Sequence, residues 1–409
     1  MSLGAGRGNL EPRADHWYQG RAAMHDLDAE LRRRLDTLES EGLRRTLRRV
    51  ESGQGREILL DGHRVLNFAS NDYLGLAAHP GVAEAAARAA RDFGSGSGAS
   101  RLISGSLPPH RDLEEALAAW KGTESALTQG SGFAAALGII PALVGKEDIV
   151  ILDRQVHACC VDGARLSGAT LRVCRHNDLD HLESLLTWAR KQSGTPRVLI
   201  LTESVFSMDG DRAPLQALVE LKDRFGAWLM LDEAHAVGLF GANRTGCAEA
   251  EGVASRIEIQ FGTLGKALGS CGGYVCGSRV LTDYLVNRSR SLIFSTAPVP
   301  AAAAAAREAI RVIQGPEGAR RCAAVWQRLS QLTSRVRELP GASPIVPVMI
   351  GEERAAVSRS QELLAEGFLV PAIRYPTVSR GRARLRVSVT AAHAPEDMDR
   401  LSEALGATP

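Results

Sequence analysis

Through the middle of the chain, short β-branched and aliphatic runs alternate with longer stretches whose apolar positions follow helical spacing. The runs are DIVILD (148–153), TLRVCRH (170–176), RVLILTES (197–204), AWLMLDE (227–233), RIEIQFG (256–262) and GGYVCGS (272–278). Strand and helix in alternation predict a mainly parallel sheet covered by helices on both faces. Ahead of this block, Leu27, Leu31, Leu35 and Leu38 fall at helical intervals in a charged segment, predicting an amphipathic helix within Asp26–Arg49, an arm outside the main core. RVLNFASNDYLGL (64–76) reads as a short strand and an Asn-Asp loop, and Val82–Asp92 as an Ala-rich helix. The apolar run from Gly132 to Gly145 contains Pro141 and is shorter than the roughly 20 residues a bilayer requires. It predicts a buried helix. Beyond Pro300 one long helix or two extend to Leu339, followed by strand IVPVMIG, a helix over Ala356–Glu366 and strand ARLRVSV (383–389). The expected division is a helical arm over 1–63, a large domain over 64–300 and a small α+β domain over 301–409.

Composition narrows the possibilities without naming a chemistry. In 409 residues, 49 Lys and Arg balance 47 Asp and Glu, so net charge gives no reason to expect a nucleic acid or membrane partner. The seven cysteines form no C-x-x-C pair and are odd in number, as expected of a reduced protein with neither a disulfide framework nor a metal site. The N-terminal MSLGAGRGNLEPRADHW lacks the apolar core of a secretion signal, so the expected location is the cytoplasm.

In parallel α/β sheets, ligands gather beyond the carboxyl ends of the strands. His157, Ser207, Asp232, His235 and Lys266 all lie at or just after such ends, forming one candidate constellation. Two motifs offer competing chemistry. Asp232 to His235 spells DEAH, and Lys266 sits among glycines in FGTLGKALGSCGG. A nucleotide P-loop, however, needs a hydroxyl residue after its lysine and an earlier glycine; here Ala267 follows, and the lysine comes after the acidic string. Gly94-x-Gly96-x-x-Ala99 matches a dinucleotide fingerprint, but a helix precedes it where that fingerprint requires a strand.

A covalent lysine fits better. An enzyme that uses pyridoxal 5'-phosphate needs an amine for the aldehyde, a carboxylate for the ring nitrogen, a flat partner for the ring and backbone N–H groups for the phosphate. Lys266 can be the amine. Asp232, at the end of an apolar strand, can be the carboxylate or cap the next turn. His157 can stack on a ring or simply start a helix, and His235 can reach the same loop as Asp232. Gly132 and Phe133 open a helix whose N-terminus favours an anion.

Nine segments then carry a family resemblance: SNDYLGL, GSGASRLISG, QGSGFAAALG, LDRQVHAC, TESVFSMDGD, LDEAHAVGLFG, GTLGKALGSCGG, IFSTAPVP and PTVSRGRARLRVSVTAAH. In this order, between about Leu43 and Leu405, they resemble the α-oxoamine synthases, a branch of the fold type I pyridoxal phosphate enzymes. The resemblance implies an α/β fold with a mainly parallel seven-stranded sheet and a smaller C-terminal α+β domain. It implies that Lys266 holds the cofactor covalently, Asp232 faces the pyridine nitrogen, His157 stacks on the ring, and Ser207 and His235 flank the phenolic oxygen. Thr263 and the Gly132–Phe133 backbone would hold the phosphate, completed by Ser295 and Thr296 of a second subunit, which makes the protein a homodimer with shared sites. Asn71, Arg374, Thr377 and Arg386 match positions near the substrate carboxylates, and Arg45 one that approaches the acyl chain. The implied reaction is decarboxylative condensation of L-alanine with an acyl thioester of coenzyme A or a carrier protein, with glycine or serine as the alternative amino acid.

Overall fold

The computed structural model describes residues 26–336 and 339–406, so the N-terminal stretch considered above for a leader lies outside the described residues. The chain divides into two units, Met1–Thr46 and Leu47–Pro409. In the first, a helix spans Leu27–Ser40, capped by the Asp26 carboxylate, which accepts the N–H groups of Asp28 and Ala29 at 3.0 and 3.4 Å. The helix stops short of the predicted Arg49. Gly42 takes a left-handed φ of 67° and the Leu43 N–H returns to the Leu38 carbonyl at 2.7 Å, a glycine-terminated end.

In the second unit the strands in chain order are β1 (Glu57–Leu60), β2 (His63–Asn67), β3 (Ser125–Gln129), β4 (Ile149–Asp153), β5 (Thr170–Cys174), β6 (Val198–Glu203), β7 (Trp228–Asp232), β8 (Ile259–Thr263), β9 (Gly273–Gly277), β10 (Ile345–Gly351), β11 (Phe368–Leu369), β12 (Ala372–Ile373) and β13 (Ala383–Ser388). Seven form one sheet in the order β3-β9-β8-β7-β6-β4-β5, parallel except that β9 runs antiparallel to both β3 and β8. The six predicted runs are all present, though RIEIQFG becomes a strand only from Ile259, after a 3₁₀ turn over Ala254–Arg256. The seventh strand, β3, has the sequence SALTQ and is buried throughout.

The alternation of side chains along each strand divides the core. Val150, Leu152, Leu199, Leu201, Met230 and Phe261 pack on one face, beneath helices Gly132–Leu143 and Ala158–Ser167. Ile151, Ile200, Leu229 and Leu231 face the opposite way into a larger cluster containing residues of helices Pro108–Lys121 and Pro300–Gln314. Burying each such side chain is worth about 1.5–3 kcal/mol, so both faces anchor the sheet. The C-terminal part carries a second sheet, β10-β13-β12, with helices Pro316–Arg335, Glu353–Ala365 and Pro395–Ala404. A third, β1-β2-β11, joins the residues after the arm to this C-terminal part. No helix among the described residues is long and apolar enough to cross a membrane.

One buried ion pair ties the sheet to a helix. The Lys121 ammonium, at the end of helix Pro108–Lys121, donates to Glu233 Oε2 at 2.5 Å and to the Thr245 carbonyl at 2.6 Å. Glu233 Oε1 accepts the Ala248 N–H at 2.9 Å. The second letter of the DEAH string is therefore a structural carboxylate pointing away from its neighbour Asp232. Removing one partner strands the other's charge in the core, at a cost of about 3–5 kcal/mol. Lys121→Met should lower the melting temperature by several degrees, and Lys121→Met with Glu233→Leu should recover a good part of that loss, as thermal denaturation would show.

Candidate active site

Register brings the central chemistry together. In the parallel ladders Glu203 pairs with Asp232 and Asp232 with Phe261, so the three side chains share one row at the carboxyl edge, on the face covered by helix Ala158–Ser167. The loop after β8 then carries Lys266 back over this edge. It is closed by hydrogen bonds from Leu264 N–H to the Gly272 carbonyl at 2.9 Å and from Gly269 N–H to the Lys266 carbonyl at 2.8 Å. A side chain at Gly269 would collide with the Ala77 main chain, so this loop sits directly on the segment after SNDYLGL.

Lys266 Nζ lies 2.7 Å from His235 Nε2, and His235 Nδ1 lies 2.6 Å from the Tyr73 hydroxyl. Burial pushes His235 well below the usual histidine range, reinforced by the charges of Lys266, Arg386 and His157, so the ring is neutral. A neutral imidazole has one donor and one acceptor: Nε2 accepting from Lys266 leaves Nδ1–H for the Tyr73 oxygen. Burial also lowers Lys266 itself, against the opposing pull of Asp232 and Glu203. Asp232 is raised to about 6 by burial, opposed by Lys266; its Oδ1 accepts the Ala234 N–H at 2.8 Å. The result is a half-buried amine of lowered basicity, held against a neutral imidazole and close to the Asp232 carboxyl.

Around this centre the structure assembles further predicted residues. His157 caps helix Ala158–Ser167, its Nδ1 3.3 Å from the Cys159 N–H and 3.0 Å from the Cys159 thiol, and that side-chain contact raises its basicity. Its ring remains exposed. Arg386, buried on β13, donates Nε to the Ser207 carbonyl at 2.7 Å and Nη1 to Asn71 Oδ1 at 3.0 Å. Thr263 Oγ1 donates to the Gly272 carbonyl at 2.9 Å and accepts the Gly265 N–H at 3.2 Å.

The residues present fit pyridoxal phosphate. A Cβ at Gly273 would fall 2.6 Å from the Gly132 nitrogen, and one at Gly132 would touch Thr263 at 3.5 Å. Glycine at both positions lets β9, the start of helix Gly132–Leu143 and Thr263 meet at backbone distance. Ser131 caps that helix by accepting the Ala134 N–H at 3.0 Å, while the N–H groups of Gly132 and Phe133 belong to the first turn, which has no intrahelical acceptors. They head a cradle suited to an anion. Among the described residues no cluster of His, Cys, Asp and Glu could hold a metal ion.

Other predicted residues are exposed. Ser295 and Thr296 are exposed, and Thr296 bridges to Ser100. Thr377 is exposed and its N–H reaches the Arg374 carbonyl at 3.0 Å, on the loop after β12. Arg45 belongs to the first unit, where its guanidinium lies 3.5 Å from the Leu43 carbonyl. Two residues of the centre escaped the sequence reading: Tyr73, fully buried, and Glu203, 2% exposed. Glu203 left a signal as an acid closing a predicted strand, whereas Tyr73 lies within SNDYLGL with nothing local to mark its contact with His235.

The site's rim is braced by a second cluster. His176 Nδ1 lies 2.9 Å from Asp153 and Nε2 2.7 Å from Asp211, while its ring meets Phe206 edge-on at 4.4 Å. Phe206 and Asp211 flank Ser207 on one turn, so this bridge fixes the turn's geometry.

Comparison with known proteins gives a consistent result. A family model for class I and II aminotransferases matches residues 63–405. An 8-amino-7-oxononanoate synthase of Anaeromyxobacter dehalogenans is 47% identical over 393 residues, covering 95% of this chain and 96% of that protein. The synthase of Geobacter sulfurreducens is 46% identical over 380 residues, 91% of this chain and 95% of that protein. Among solved structures, a serine palmitoyltransferase from S. paucimobilis with bound PLP-myriocin superposes with a TM-score of 0.87 at 29% identity, covering 93% of this chain and 97% of that one.

The His176 bridge makes a pH prediction. Two carboxylates hold the imidazolium and raise His176 to about 9, so its stabilisation is complete below the unfolded value near 6.5 and is lost as pH rises through 9. The melting temperature of His176→Ala should therefore fall below that of the parent by an amount worth about 1–3 kcal/mol at pH 6.5, and the gap should shrink by pH 9.5. A gap independent of pH over that range would contradict the ionic bridge.

Proposed function

The chain belongs to the class I and II aminotransferase family and, within it, to the 8-amino-7-oxononanoate synthases, and on that basis we propose that it condenses L-alanine with a pimeloyl thioester. The products are 8-amino-7-oxononanoate, carbon dioxide and the free thiol carrier, a step of biotin synthesis. The observation that carries this reading is the half-buried Lys266 amine of lowered basicity on a neutral His235 beside Asp232, at the carboxyl edge of the sheet.

The cofactor is pyridoxal 5'-phosphate, which when bound supplies an electron sink for charge developing at the amino acid's α-carbon. Lys266 would hold its aldehyde carbon, Asp232 its ring nitrogen, and His157 would lie over the ring. Ser207 and His235 would flank the phenolic oxygen. Thr263 with the N–H groups of Gly132 and Phe133 would take the phosphate, joined by Ser295 and Thr296 of a second copy of the chain, whose exposure in a single chain supports that assignment.

Each protein group has a task that follows from its environment. Lys266 Nζ takes the α-proton: burial lowers its basicity, so more of it is free amine at neutral pH than an ordinary lysine allows. His235 holds that nitrogen in place without adding charge, because its own ring stays neutral. Arg386, with Asn71 beside it and Arg374 and Thr377 on the neighbouring loop, takes the substrate carboxylates. The guanidinium is oriented before any substrate arrives, since Ser207, Asn71 and Ser388 already occupy three of its donor directions. Glycine or serine in place of alanine is the second reading, supported by the shared backbone of the palmitoyltransferase; the higher identity to the synthases favours alanine.

Purified protein with cofactor should be yellow, with a visible band that shifts on adding L-alanine; Lys266→Ala should lack the band and lose roughly a thousandfold or more in activity. Thiol release across a panel of amino acids and acyl thioesters decides the substrates, and turnover with glycine and a short acyl thioester alone would overturn the assignment. Because Asp232 protonates near pH 6, apparent affinity for the cofactor should fall as pH drops through 6. Asp232→Asn should bind weakly at every pH, which absorbance titration measures directly.

A further inference from the structure

Glu203 is a buried acid that the reaction scheme leaves without a task. It closes β6, in register with Asp232, and its side chain points to the same face as Asp232 and Phe261. Oε2 accepts the Ser207 N–H at 3.1 Å, while Oε1 is buried with no hydrogen-bond partner among the described residues. The carbonyl of the same Ser207 residue accepts Arg386 Nε at 2.7 Å. Arg386 then passes the connection on, through Nη1 to Asn71 at 3.0 Å and through Nη2 to the Tyr73 hydroxyl at 3.4 Å, and Tyr73 lies against His235. One main-chain residue, Ser207, thus stands between the acid on the large sheet and the guanidinium on β13.

We propose that Glu203 is a positioning residue for the amino-acid substrate: by holding Ser207 from below, it aims the Arg386 guanidinium at the substrate carboxylate. This rests on the reading that Arg386 takes that carboxylate. A turn of Gly210 and Asp211 closes the other side of the segment, with the Gly210 N–H on the Phe206 carbonyl at 2.9 Å, so Ser207 is clamped from two directions. Without Glu203 the Ser207 N–H loses its acceptor, and the carbonyl on which Arg386 rests is free to tilt. Burial and the adjacent Asp232 raise Glu203 to about 8, against Lys266 and His157, which favours its uncharged form. The required group is therefore an oxygen acceptor in this place and not a negative charge, and glutamine supplies one.

Two measurements test the proposal. In the cofactor-loaded protein, absorbance titration with L-alanine should show Glu203→Ala about tenfold weaker than the parent, the size expected for one lost buried hydrogen bond. Its KM for the acyl thioester should stay within about twofold. Glu203→Gln, which keeps the acceptor and the volume, should restore alanine binding to within about threefold of the parent. In the protein without cofactor, hydrogen exchange of the segment 204–210 should speed up in Glu203→Ala and not in Glu203→Gln. Unchanged alanine affinity in Glu203→Ala, or a loss that Glu203→Gln does not repair, overturns the proposal. If the underlying reading fails instead, Arg386→Ala also leaves alanine affinity unchanged; if only this proposal fails, Arg386→Ala is impaired while Glu203→Ala is not.

Discussion

An amine can be buried only if something nearby makes its burial tolerable, and in this protein that something is strand register. Glu203 and Asp232 sit side by side because β6 and β7 pair in parallel without a slip, and both face the loop that returns Lys266. Their combined pull works against the desolvation of the lysine, while desolvation pushes both acids upward, with Asp232 raising Glu203 further and Cys159 raising Asp232. Three groups that each would resist burial share it by keeping few charges among them. A one-residue slip of β7 would turn Asp232 to the other face and put the structural Glu233 in its place. The sheet is therefore the electrostatic device as well as the scaffold.

Consecutive residues at the end of β7 show how far this division goes. Asp232 faces the site; Glu233 faces away, locked to Lys121 and the Ala248 main chain. His235, two residues on, returns to the site and meets Lys266. A string that resembles a nucleotide-hydrolysing motif is, in three dimensions, one site carboxylate, one core ion pair and one site imidazole.

Much of this was legible in the sequence. Six of the seven strands of the large sheet announce themselves by apolar runs, and the positions of His157, Asp232, His235 and Lys266 at strand ends place them together before any coordinates. The strand β3 was hidden because its Thr128 and Gln129 look like loop residues; in the fold Glu114 accepts from Thr128, and Ser291 donates to Gln129. β11 and β12 were hidden by their length of two residues each. Tyr73 meets His235 across 162 positions of chain, and no local pattern encodes such a contact. Glu203 was visible as an acid, but its uncharged state depends on the register that puts Asp232 beside it.

The closeness of Gly132, Gly273 and Thr263 carries one more consequence. Where two backbones touch, no side chain exists to be exchanged, so this corner of the molecule has almost no vocabulary in which to vary. The loop 374–382 is the opposite, largely exposed, with residues of many sizes. A lineage in search of a new substrate could rewrite the second freely while copying the first unchanged. The fold thus separates, in space, the part that must be inherited from the part that can be invented.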